Sequence, residues 1–231
     1  MRRDLRGLSP DRAEQVAGHL AAAGILLDED PQLALEHART ARALGARLAV
    51  VREAAGLAAY AAGEYREAAA ELRAHRRMSG SGEHLPVLAD CERALGRPER
   101  ALAMLEDPDA ARLDPAARVE LLIVASGARR DLGDVAAAVS LLEVGELDSS
   151  TVRPWTVRLW YAYADALLAA RRTDDAVRWF GAVETIDDAG ETDAAERLAD
   201  LAGTDAGPVE QPVIDSVEQP VIDSVEQPDH D

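Results

Sequence analysis

Lysine and asparagine are absent from the 231 residues, and all 25 basic side chains are arginine. That absence excludes Schiff-base lysines, the phosphate-binding lysine of a P-loop and Asn-linked glycans. Cysteine occurs once, as Cys91, so no internal disulfide can form, and a reducing compartment, the cytoplasm, is expected. Cys91 stands among Asp90, Glu92 and Arg93 with no group to activate it, and reads as a packing or surface thiol. Aromatic residues number only eight, and long β-branched runs are missing, which argues against a large sheet. The longest uncharged runs, such as AAGLAAYAAG (54–63) and LLIVASGA (121–128), are far too short to span a membrane. The N-terminal MRRDLRGLSPDRAEQ leads into no apolar segment of the kind a secretory leader needs, so neither anchor nor leader is expected.

Positive charge is also scarce. The net charge is −18, and eight acidic residues with no arginine lie in 204–231. A surface of that sign repels nucleic acid and anionic lipid, so neither is an expected partner. Its simplest consequence is solubility.

Chemistry-bearing patterns are sparse. The five histidines (19, 37, 75, 84 and 230) show no His-x-x-x-His pairing, and Cys-x-x-Cys is impossible with one cysteine, so no metal site is expected from spacing. His75 and His84 flank RRMSGSG, which reads as a loop. Carboxylate pairs such as Asp174 and Asp175 are explained by a helix N-terminus. No catalytic residue and no cofactor is expected, and an enzyme is the least favoured reading.

What the chain has in abundance is alanine, 47 residues of it, the strongest helix former. The alanine runs are interrupted at intervals. Breaks start at residues 29 (EDPQLA), 63 (GEYREA), 96 (GRPERA), 133 (GDVAAA) and 171 (RRTDDA), spaced 34, 33, 37 and 38 apart. A period in this range signals a helical repeat. Each break supplies a stop and a start. Gly63, Gly96 and Gly133 tolerate the left-handed conformation that ends a helix. Asp30-Pro31, Pro98 and Thr173 with Asp174 and Asp175 begin the next one. Breaks this short join neighbouring antiparallel helices, so each unit is a helical hairpin.

The pattern resembles the tetratricopeptide repeat family over about residues 11–186. With the breaks as register, Ala34, Ala68, Ala101, Ala138 and Ala176 occupy one small-residue column. A second column, seven before each break, holds Ala22, Gly56, Ala89, Ser126 and Ala164. Ala, Gly and Ser make up 72 of the 231 residues, so five small residues in that column support the register. Large apolar residues follow nine after the break as Leu72, Leu105, Leu142 and Phe180, with Ala38 the exception. The bulky residue early in the first helix is present as Leu85, Leu122 and Trp160, but Gly18 and Arg52 stand there in the first two units. Glu92 and Arg129 replace an aromatic, and Arg171 replaces the turn glycine.

The resemblance implies an all-α solenoid of about five antiparallel hairpins over 11–203, preceded by a segment 1–10. ETDAAERLADLAG (191–203) is a capping helix with Ala194, Ala195, Leu198, Leu201 and Ala202 on one side. EDPDAARLDPAARVE (106–120) and LDSSTVRPW (147–155) join the later units. From residue 204 an acidic tail carries the tandem repeat VEQPVIDS, whose prolines and like charges oppose folding.

The resemblance also implies a non-enzymatic scaffold or adaptor whose concave groove, lined by the first helices, binds a peptide or partner helix. Carried over residue by residue, the groove positions are Glu53, Leu57 and Tyr60; Glu83, Asp90 and Arg93; Glu120, Ile123 and Arg130; and Arg158, Tyr161 and Asp165. The family's clamp for a C-terminal carboxylate uses Lys and Asn, which this chain lacks. Arg93 and Arg130 stand in equivalent places and either meet an acidic stretch of a partner or pair with Asp90 and Asp131. Six of the eight aromatics fall between 155 and 180, as extra core or as a binding hot spot. The expected partner is a protein or peptide, with the chain a monomer or weak homo-oligomer. The alternative is a self-associating structural module.

Overall fold

The computed structural model describes residues 5, 7–148 and 152–205. Among these residues the chain is all-helical, with eleven α-helices and no strand. They are α1 (Pro10–Leu26), α2 (Pro31–Gly45), α3 (Ala49–Ala61), α4 (Tyr65–Ser79), α5 (Leu85–Ala94), α6 (Pro98–Leu102), α7 (Pro115–Asp131), α8 (Val135–Leu142), α9 (Thr156–Ala169), α10 (Thr173–Glu184) and α11 (Ala194–Asp205). The VEQPVIDS repeats and part of the 147–155 connection lie outside the described residues.

Four turns share one hydrogen-bonded design. At the end of α3, the Gly63 N–H donates to the Tyr60 carbonyl (3.0 Å) and the Glu64 N–H to the Ala59 carbonyl (2.8 Å). The same pair of bonds follows α5 through Gly96 and Arg97, α7 through Gly133 and Asp134, and α9 through Arg171 and Arg172. This is the Schellman arrangement, which satisfies carbonyls left over at a helix end and demands a left-handed residue. Gly63, Gly96 and Gly133 have φ of 77°, 71° and 78°, and Arg171 adopts φ 62° without glycine's freedom. The side chains of Asp30, Asp114 and Asp134 cap the helices that follow them. Thr173 does not act as a cap. It is the first helical residue of α10, Arg172 occupies the cap position, and Asp174 and Asp175 sit in the first turn.

Each helix packs on the next along the whole chain, and α1 also packs on α3, α5 on α7 and α7 on α9. Small residues permit these close crossings. Ala34, Ala68, Ala101, Ala138 and Ala176 are all fully buried. Gly56 is tighter still, for a Cβ there would lie 2.6 Å from Cγ of Leu72 on α4. Ser126 is buried and donates to the Ala138 carbonyl at 2.9 Å. The apolar residues form successive clusters along the chain, ending with one around Leu142, Leu159, Leu167 and Phe180.

The details correct three sequence expectations. In the first unit Ala23, not Ala22, is fully enclosed, because the α1–α2 turn is one residue longer than the glycine turns. The bulky residue at full depth is Val51, Leu121 and Leu159, one place before Arg52, Leu122 and Trp160, which are only partly buried; Leu85 alone stands as expected. On α11 the inward residues are Ala194, Leu198 and Leu201, while Ala195 and Ala202 are exposed.

Buried charge takes the place of missing aromatics. Glu92 of α5 is fully buried and receives Arg73 of α4, with Arg97 at 3.4 Å. Glu71 of α4 is held between Arg42 (2.6 Å) and Arg52 (2.7 Å). Arg73–Glu92 joins α4 to α5 and Arg42–Glu71 joins α2 to α4, while Arg52–Glu71 ties α3 to α4; the partial exposure of the arginines limits the desolvation they pay.

Candidate functional site

Two adjoining depressions lie along α3, α5, α7 and α9. The first, of about 500 Å³, is bounded by Tyr60, Glu83, Val87, Asp90, Glu120 and Val124 among others. The second, of about 400 Å³, is bounded by Ser126, Gly127, Arg130, Tyr161, Asp165 and the segment Glu191–Asp193. They share Arg93, Ile123 and Arg158. Ten of the twelve positions carried over by resemblance therefore meet at this face. Glu53 and Leu57 line neither depression: Leu57 packs against the core around Leu72, and Glu53 joins His84.

The charged residues are paired between α5, α7 and α9. Arg93 Nε meets Asp131 Oδ2 at 2.6 Å and its guanidinium stands 3.7 Å from Asp90. Arg130 reaches Asp165 at 2.5 Å instead of its chain neighbour Asp131. Arg158 meets Glu120 at 2.7 Å. Two tyrosines stand at the two ends. Tyr60 donates to Asp90 (2.6 Å) and Tyr161 to Asp193 (2.5 Å). Burial, then the hydrogen bond to Asp193, pushes the Tyr161 phenol up to about 12. Burial and the Asp90 hydrogen bond raise Tyr60 likewise. Both phenols keep their protons at neutral pH and stay anchored as donors.

Local packing fixes these groups. A Cβ on Gly127 would lie 2.7 Å from Cζ of Arg93, so the glycine lets the guanidinium lie flat against α7. Burial lowers the Arg93 pKa, but the Asp131 hydrogen bond and the surrounding carboxylates outweigh it and leave it raised. Glu120 is raised by burial, with Arg158 opposing.

Several residues in or beside the second depression carried no sequence signal. Arg197 of α11 meets Asp165 at 2.6 Å and lies over the Phe180 ring at 5.6 Å. Asp193 and Thr192 precede α11, whose return to the face is a packing event. The aromatic cluster resolves mainly as core. Trp179 packs edge-on against Trp160 and Tyr163, and Trp155, Trp160 and Trp179 border the cluster around Phe180. Of the six, Tyr161 is the one that lines either of these two depressions. Cys91 is fully buried beside Leu72 and Leu88, and burial raises its thiol to about 12.

The sequence spacing predicts no metal site, yet folding brings His75 and His84 together with Glu53 and Glu83. No described helix is long and apolar enough to cross a membrane. The chain matches no family model and no curated protein.

Proposed function

We propose that the chain is a tetratricopeptide-like solenoid of helical hairpins and acts as a non-enzymatic protein–protein interaction scaffold, binding a peptide or partner helix along the face built by α3, α5, α7 and α9. The observation that carries this reading is the pair of adjoining depressions, which span three successive first helices without a break at Arg93, Ile123 and Arg158. Apolar Val87, Ile123 and Val124 supply contact area between rows of ion pairs. The arginines retain N–H donors beyond those their carboxylates accept, which suits the carbonyls and side chains of an extended polypeptide. Tyrosines anchored at both ends are low-entropy contact groups.

The test is affinity capture from native lysate with the full chain, Tyr161→Ala and Arg130→Ala in parallel, each checked for helicity. Loss of the same bound protein in both variants supports the groove. Capture unaffected by either sinks it. Size measurement across concentration separates an adaptor, which stays monomeric, from a self-assembling module.

A further inference from the structure

Glu53 on α3, His75 on α4, and Glu83 and His84 ahead of α5 present one donor atom each, all within 4.8 Å of one another. We propose that these four residues form a zinc site that ties the second helical pair to the third. Two imidazoles and two carboxylates are a donor set that zinc accepts. Tetrahedral zinc with bonds of about 2.0–2.1 Å separates its ligand atoms by roughly 3.3 Å. Here His84 Nε2 lies 3.0 Å from Glu53 Oε1 and 3.8 Å from Glu83 Oε1, and His75 Nε2 lies 3.4 Å from Glu83 Oε1. The remaining donor pairs of the set stand within 4.8 Å.

The ring orientation is fixed in the required sense. His75 is buried, and its Nδ1 lies 3.1 Å from the Ala49 carbonyl. A carbonyl only accepts, so Nδ1 carries a proton, and in the neutral ring the lone pair is then on Nε2. That Nε2 points to Glu83 and to the Ser79 hydroxyl at 3.2 Å. A backbone carbonyl on the far nitrogen is the usual outer partner of a zinc-bound histidine.

The loop that delivers the other two ligands is held in place. Gly80 takes a left-handed φ of 72°, the Ser81 N–H donates to Ser79 Oγ, and the Glu83 N–H donates to Ser81 Oγ. Gly82 packs so closely that a Cβ would lie 2.4 Å from Asp109 Cβ, and Asp109 is clamped by Arg76 at 2.5 Å. Glu83 has a side chain 57% exposed, which opens the cluster to solvent and gives an ion a way in. Four protein ligands leave no open position, so the role is structural. Zinc bound there stabilises the folded chain by mass action. This inference does not depend on what the groove binds.

The experiment uses the full chain stripped with chelator, then titrated with zinc alone by calorimetry and followed by thermal unfolding. The expected result is one zinc per chain, a rise in Tm with zinc concentration, and the intense visible absorption of four-coordinate cobalt when cobalt replaces zinc. His84→Ala and Glu53→Gln, both at partly exposed positions, lower the zinc affinity at least about 10-fold and abolish the cobalt band. His37→Ala serves as control, because His19 and His37 also touch, at 2.9 Å between Nδ1 atoms. Absence of binding overturns the proposal. So does binding that survives His84→Ala, binding lost in His37→Ala, or a weak six-coordinate cobalt spectrum.

Discussion

Gly56→Ala tests whether close helix crossing governs this fold. Gly56 lies inside α3, where alanine is normally better than glycine by about 1 kcal/mol. At this crossing the added Cβ would stand 2.6 Å from both Cγ and Cδ2 of Leu72 and 3.2 Å from the Leu72 backbone nitrogen. Leu72 is fully buried in the cluster with Ala68, Ala69 and Leu88, so any retreat presses on packed neighbours. Overpacking of this kind costs roughly 1–3 kcal/mol, and the helix-propensity gain offsets only part of it. The net expectation is a loss of up to about 2 kcal/mol, or a Tm lowered by up to several degrees at about 2–4 °C per kcal/mol for a chain of this size. Gly18→Ala is the matched control. Gly18 sits in the middle of α1 with nothing within 4 Å of its Cβ position, so alanine there raises stability by up to about 1 kcal/mol. Urea unfolding of both variants reads the two signs. A double-mutant cycle sharpens the result. Leu72→Ala alone costs about 2–5 kcal/mol, but it relieves the clash, so in that background Gly56→Ala is neutral or raises stability by up to about 1 kcal/mol. The reasoning is refuted if the two glycine variants shift together, or if the Gly56 and Leu72 effects add within about 0.5 kcal/mol.

Arg171→Gly replaces a left-handed arginine by the residue that turn favours, and raises stability by about 0.5–1 kcal/mol, whereas Gly133→Ala at the equivalent turn lowers it; thermal unfolding reads both, and equal signs would contradict the turn assignment. Glu92→Leu with Arg73→Leu replaces the buried ion pair by apolar side chains, as at the equivalent buried Ala59 and Leu167, so stability stays level or rises by about 1–4 kcal/mol, whereas Glu92→Leu alone leaves Arg73 and Arg97 without their carboxylate and lowers it; a double variant less stable than the single one in urea unfolding counts against this. Acid titration reads the interhelical pairs. The hydrogen bond from Arg39 holds Glu67 below its ordinary 4.5, and that from Arg76 holds Asp107 below 3.8. A lowered acid contributes stability present above the unfolded value and lost as pH falls through the folded one, so unfolding free energy declines below about pH 4.5. Glu120, raised by burial, acts in the opposite sense, its contribution being present below 4.5 and lost as pH rises through its folded value. Arg39→Gln and Arg76→Gln flatten the acid decline; a decline parallel to that of the parent chain shows that these pairs do not cause it.

Much of the helical architecture was legible because its causes are local. Gly63, Gly96 and Gly133 end helices through bonds spanning six residues, and Asp30 and Asp134 cap those that follow, so each signal lies beside the structure it produces. The buried alanine column was legible for a related reason: only small side chains fit where two helices touch. The one-residue errors at Ala22, Leu122 and Trp160 come from a rotation of about 100° per residue, so a one-residue change in turn length, or a small error in face, moves a side chain from core to flank.

The sequence by itself determined the helical character of the described residues, the five short breaks between helices, and an acidic balance, because propensity, turn chemistry and charge act over a few residues. Only the tertiary structure decided which ions pair and which donors converge. Arg130 is as near to Asp131 as chain neighbours can be, yet successive side chains on a helix diverge, and its partner is Asp165 two helices on. His75 and His84 match no ligand spacing, yet α4 and the Ser79–Glu83 loop fold back to set them beside Glu53 and each other. Convergence of that kind depends on where whole helices pack, and no local pattern of residues records it.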